Sequence, residues 1–164
     1  MSSVARTRRA SRLVLVLLAV MAIAVGACGS SAATNAPVPT GPLELTGTSW
    51  RLIRYLSPDG ALFTVPAAVT PSLMFTADRA TGNSGCNTFN GGYTLGAGNA
   101  KDGQDLVLVQ GMITQMACQE PMATVETAYL AALGVVDKAA LLDTGNLQLW
   151  DSRGKTTLVF IRAS

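Results

Sequence analysis

From residue 43 onward, apolar positions recur in short runs broken by turn residues. Ser49–Leu56 sets Trp50, Leu52 and Arg54 against Arg51, Ile53 and Tyr55, which predicts a strand with both faces partly covered. Ser72–Thr76, after Pro71, is a short apolar run. Gly92–Leu95, Leu106–Val109 and Met112–Gln115 are three further candidate strands. Leu106–Val109 is apolar throughout, the pattern of a strand covered on both faces. Ala139–Leu142, Asn146–Trp150 and Thr156–Arg162 close the chain, the last two flanking a hairpin loop at Asp151–Gly154. Strands at this spacing, with turn signals between them, predict a barrel or sandwich.

One segment has a helical period instead. Met122, Val125, Tyr129 and Leu133 form one apolar stripe. Pro121 suits the first helical position, and Glu120 suits the positive end of the helix dipole. Gly134 is expected to end the helix with a positive φ. This helix is expected to cover one end or side of the sheet.

Between the strands, Gly82–Tyr93 (GNSGCNTFNGGY) concentrates glycine and asparagine. Glycine permits positive φ, and asparagine side chains bond nearby backbone, so the segment reads as an ordered turn system anchored by Phe89 and Tyr93. Asn83, Asn87 and Asn90 are its candidate binding residues. A second pattern, Met112–Cys118 (MITQMAC), directly precedes the helix.

The N-terminal region has a different character. Four of the twelve basic residues are Arg6, Arg8, Arg9 and Arg12, so the rest of the chain has eight basic against ten acidic residues. The formal charge of +2 is thus local, and the remainder is mildly acidic, without a footprint for nucleic acid. Leu13–Val25 is uninterruptedly apolar or small, at 13 residues too short for a membrane span of about 20. A basic stretch, a short apolar run and small residues describe an export signal. A twin-arginine route at Thr7-Arg8-Arg9 is the alternative to general secretion, but Ser11 and Arg12 are polar where that signal wants apolar residues.

The run ends in Val25-Gly26-Ala27-Cys28, similar to a bacterial lipobox. That likeness implies a diacylglyceryl group, and further acylation such as palmitate, on Cys28 after removal of residues 1–27. Ordinary cleavage at Val25-x-Ala27 is the competing reading. Several acyl chains on one residue give stable anchoring, where one is marginal. Residues 28–42 are small, uncharged and proline-bearing and read as a tether, with a span of roughly 20 Å. Residues 43–164 are long enough for one core and too short for two domains.

The residues from Gly47 to Phe160 resemble the META domain, or HslJ-like, family of bacterial envelope proteins. The likeness is carried by Gly47-Thr48-x-Trp50-x-Leu52, Phe75, Gly85-Cys86-Asn87-x-Phe89-x-Gly91-x-Tyr93 and Thr114-x-Met116-Ala117-Cys118. It continues through Tyr129 and Leu133 to Leu147-x-Leu149 and Leu158-x-Phe160. The resemblance implies a mainly β fold, a small antiparallel β-barrel of lipocalin-like topology with about eight strands and one covering α-helix. It also implies a place among heat-shock and secreted or membrane-anchored proteins, in a family without an established biochemical activity.

Cys86 and Cys118 remain once Cys28 is assigned to lipid. Two cysteines in an exported domain argue for a disulfide, worth about 3–4 kcal/mol by the chain-entropy model, with two buried free thiols as the other reading. Two sulfurs without histidine are too few ligands for a closed zinc site, and no C-x-x-C arrangement favours redox chemistry. Asp102 and Asp105 lack Ca²⁺-loop spacing, and Gly96–Asn99 lacks the Lys-Ser/Thr of a phosphate loop. Trp50, Trp150 and Phe160 are expected in the core.

The chain has no histidine, which removes His-dependent triads and His-liganded metals. The expectation is a lipid-anchored protein on the extracytoplasmic face of the cell membrane, without enzymatic activity, cofactor or metal. It would bind an unknown envelope protein or small ligand, or support the envelope under stress. The alternatives are a β-barrel carrier of a small apolar ligand and an inhibitor-like protein-interaction module.

Overall fold

The structure is a computed structural model describing residues 37–163. The signal, Cys28 and residues 29–36 of the tether lie outside the described residues. Nine strands and a helix follow in the order β1 (Thr48–Leu56), β2 (Leu62–Thr64), β3 (Ser72–Phe75), β4 (Arg79–Asn83), β5 (Thr88–Asn99), β6 (Gly103–Ile113), α1 (Met122–Leu133), β7 (Val136–Leu141), β8 (Leu147–Asp151) and β9 (Thr156–Arg162). From β3 to β9 each strand pairs antiparallel with the next, and β1 pairs with both β3 and β9. Eight strands thus form an up-and-down barrel, closed by β1 with β9 and joined by only two rungs between β6 and β7. The ninth, β2, extends the edge of β1 beyond β3, pairing Arg54–Leu56 while β3 pairs Thr48–Arg51.

The barrel is filled by side chains. Trp50, Leu52, Leu73, Phe75, Leu106, Leu147, Leu149, Leu158 and Phe160 are buried in one cluster. In β1 the ladder with β9 slips between Leu52 and Arg54. That irregularity moves Tyr55 onto the same buried side as Trp50 and Leu52, against strict alternation. On the helix, Val125, Ala128, Tyr129, Ala132 and Leu133 face inward. Tyr129 is fully buried among Phe89 and Phe160, with ring centroids 5.8 and 6.1 Å away, and its hydroxyl donates to the Ser72 carbonyl at 3.1 Å. Burial pushes its pKa well up, so it stays a neutral donor.

Several expectations are corrected. Gly82–Tyr93 is not one turn system: β4 runs to Asn83, β5 begins at Thr88, and only Ser84–Asn87 turns. The glycines in the strand answer crowding between backbones. A Cβ on Gly91 would lie 2.1 Å from the Val109 carbonyl oxygen. Leu106–Val109 is not covered on both faces, since Val107 and Val109 are 58% and 59% exposed while Leu106 is buried. Met112–Gln115 is not a separate strand, because β6 continues to Ile113. Gly134 has φ −67°, not a positive value. Only Gly134 and Val135 separate helix from β7, and both still donate to helix carbonyls, Leu130 and Ala132. Pro121 precedes the helix, joined to Glu120 by a cis peptide bond.

The strands β2 and β4 were not expected. The first has three residues, and the second contains Gly82, whose Cβ position is taken by the Ser72 carbonyl 2.1 Å away. At the N-terminal side, Leu43 and Leu45 are buried in the core, the Leu43 N–H donates to Gln104 Oε1 at 2.6 Å, and the Ala100 N–H donates to the Gly41 carbonyl at 2.9 Å.

Candidate functional site

The barrel wall is opened between β6 and β7. These strands share only two rungs, Gln104 with Ala139 and Asp105 with Lys138. Lys138 Nζ sits 2.5 Å from Asp105 Oδ1 on the last rung, and this carboxylate raises the lysine pKa. Beyond it the chain leaves the wall through residues 114–121 and α1 before returning as β7. The helix packs mainly on β1 and β9, and its last turns face β6 across a cleft of about 360 Å³. Leu108–Ile113 of β6 form one wall, Leu130, Ala131 and Leu133 the other, and Leu73, Ala80 and Phe89 lie at the bottom. The polar lining side chains are Asn90 and Gln110; no lining residue is charged, titratable or a hydroxyl or thiol. At the rim Met112 is 75% exposed.

A second cluster braces that region. Asn87, 3% exposed, is a hub between the 84–87 turn and the strap that follows β6. Its Oδ1 accepts from the Met116 N–H at 2.8 Å and the Thr114 hydroxyl at 2.9 Å. Its Nδ2 faces the Glu126 carboxylate at 2.9 and 3.1 Å and the Met116 carbonyl at 3.2 Å. The turn itself is closed by Ser84, whose N–H and hydroxyl both reach the Asn87 carbonyl, at 2.7 and 2.8 Å. Cys86 and Cys118 form a disulfide across the same junction, with Cα atoms 6.0 Å apart. Glu126 lies beside it, 3.1 Å from Cys118 Sγ. The two sulfurs and this carboxylate are close enough to suggest a metal, but sulfurs bonded to each other are not thiolate ligands.

The three asparagines singled out in the sequence therefore part company. Asn87 is spent on internal bonds. Asn83 accepts from the Gly85 N–H at 2.7 Å and ends β4. Asn90 lines the cleft. Asp102 and Asn99 cap the β5–β6 turn, where Asn99 Oδ1 accepts from the N–H groups of Lys101 and Asp102 at 2.9 and 2.8 Å. Trp50 and Phe160 are in the core, whereas Trp150 is half-buried, its ring lying where a Cβ on Gly103 would be, at 2.6 Å. Sequence reasoning missed Gln104, which is buried and ties the Leu43 N–H to the Gly96 carbonyl. It also missed Glu126. A lone glutamate next to Val125 of the apolar stripe was the available signal. No helix among the described residues is long and apolar enough to cross a membrane.

Comparison with known proteins agrees with this architecture. A protein from Burkholderia xenovorans, solved by NMR, is 30% identical and superposes with a TM-score of 0.57, over 79% of this chain and 94% of its own. No curated protein matches. The sequence model of the META domain matches residues 43–164, the whole barrel with its helix, and the chain belongs to the META domain family.

Proposed function

We propose that this protein is a lipid-anchored, extracytoplasmic binding module without enzymatic activity, held to the membrane by acyl groups on Cys28. Its binding face is the cleft between β6 and α1. The cleft itself carries the reading: it is of a size that takes a ligand, mainly apolar, and has two amide side chains to orient one. Its lining offers neither a nucleophile nor an acid–base pair, so the support is for binding rather than turnover. The barrel axis is filled, so a small ligand would enter through the wall and not lie along the axis as in an open carrier.

The test uses N-phenyl-1-naphthylamine, a neutral apolar dye, and the exported chain carrying Cys28→Ala to avoid detergent. Dye fluorescence should rise on binding, and Met112→Asp should weaken binding by about tenfold or more, since a charge would be placed on the rim of an apolar site. Absence of binding by the folded protein would overturn the reading of the cleft. Anchoring is tested separately. The chain with Cys28 should partition into detergent and the Cys28→Ala chain should not; equal partitioning would overturn lipidation.

A further inference from the structure

The wall of the cleft formed by β6 is an unpaired strand edge. On its β5 side the strand is paired up to Ile113. On the other side its register with β7 stops at Asp105, and among the described residues no turn or loop backbone group bonds to Leu106–Ile113. In an antiparallel strand alternate residues turn both backbone groups to the same side, so about half of this segment aims N–H and C=O at the cleft. A small apolar ligand would leave those groups without partners. Free edges are ordinarily guarded by lysine, other charges or proline. From Leu106 to Gln119 this chain has none of them, and Val107, Val109, Met112 and Met116 are strongly exposed.

We propose that β6 takes an added strand: an extended, uncharged segment of another protein, apolar at alternate residues, seated between β6 and α1. This deepens the binding-module reading and rests on it. The added strand would continue the sheet past the Asp105–Lys138 rung, where the ladder is already established, and close the gap that α1 leaves in the wall. Main-chain bonds would supply affinity, and alternate side chains would enter the cleft over Leu108, Leu130 and Leu133. An uncharged partner follows from the lining, because a charge buried there would meet no counter-charge.

The test uses an eight-residue capped peptide alternating valine and threonine, with the exported Cys28→Ala chain. One control is the same peptide N-methylated at alternate amides in each of the two registers. The expected result is binding that protects amides of Leu106–Ile113 from hydrogen exchange, displaces N-phenyl-1-naphthylamine and falls by about tenfold or more in one N-methylated register only. Val109→Lys, at an exposed position, should weaken the peptide similarly while leaving the circular dichroism and melting unchanged. If the dye binds and the peptide does not, strand addition is overturned while the cleft reading stands. If neither binds, both fall. Concentration-dependent dimerisation of the free protein, with protection of Leu106–Ile113, would overturn the proposal in favour of a second copy as the occupant.

Discussion

At the scale of single residues, Asn87 shows how one side chain can join three segments distant in sequence. Its amide holds the strap at Thr114 and Met116 and faces Glu126 of the helix. Replacing it removes several bonds at a nearly buried position, so Asn87→Ala should lower stability by about 2–3 kcal/mol in urea unfolding. Asn83→Ala, which loses one local turn bond, should cost under about 1 kcal/mol. Equal effects would refute the hub. The sequence marked both positions for the same reason and could not rank them, because an amide's bonding capacity does not reveal whether it meets a ligand or a strap. Asp151 illustrates a charge tied into a turn. Its carboxylate accepts from the N–H groups of Lys155 and Arg153 at 2.8 and 3.0 Å, with the Arg153 guanidinium beside it. The Lys155 bond above all holds its pKa below the ordinary carboxylate value, against the opposing effect of burial. A depressed folded-state pKa contributes stability above the unfolded value and loses it as pH falls through the folded value. Asp151→Asn should therefore melt lower than the parent at pH 7. The gap should narrow as pH drops below about 4; a pH-independent gap would contradict this.

At the scale of elements, apolar runs bounded by turn residues were legible and those interrupted by glycine were not. The observed β9 spans Thr156–Arg162 as expected, and β1 and β3 differ from expectation by one residue at an end. The start of β5 was hidden because glycine at positions 91 and 92 lowers strand propensity, yet the close approach of β6 requires the missing Cβ at Gly91. The opposite error arose at β6, where an apolar run suggested cover on two faces and the structure supplies it on one. The end of α1 offers a direct check. Gly134 has helical φ, and a Cβ there would meet its nearest neighbours at 3.5–3.6 Å, an ordinary contact distance. Gly134→Ala should thus raise stability by about 0.4–1 kcal/mol through the unfolded chain. A loss would mean that the short passage from helix to β7 needs glycine for a reason other than its φ.

At the scale of the whole molecule, closure and opening come from the same connectivity. Pairing of β1 with β9 completes the barrel, and the detour through strap and helix between β6 and β7 opens it. The disulfide and Asn87 fix the strap on one flank of that opening, and the Asp105–Lys138 rung fixes the other. Breaking the bridge with Cys86→Ala and Cys118→Ala together should lower stability by about 3–4 kcal/mol, since the crosslink closes a loop of 32 residues. Hydrogen exchange should show the loss first in the strap; a melting temperature unchanged from the parent would contradict the role. Family membership could be read from sequence because its motifs are local; strand spacing alone left barrel or sandwich open, and the barrel came from the family resemblance. The opening could not be read, because it depends on which rungs fail to form between strands separated by a helix. The central claim is that ligands enter this opening, and hydrogen exchange with and without bound N-phenyl-1-naphthylamine tests it most directly. Slowed exchange in both Leu106–Ile113 and Leu130–Val135 is the expected result. Bound dye with both segments unchanged and protection elsewhere would contradict it.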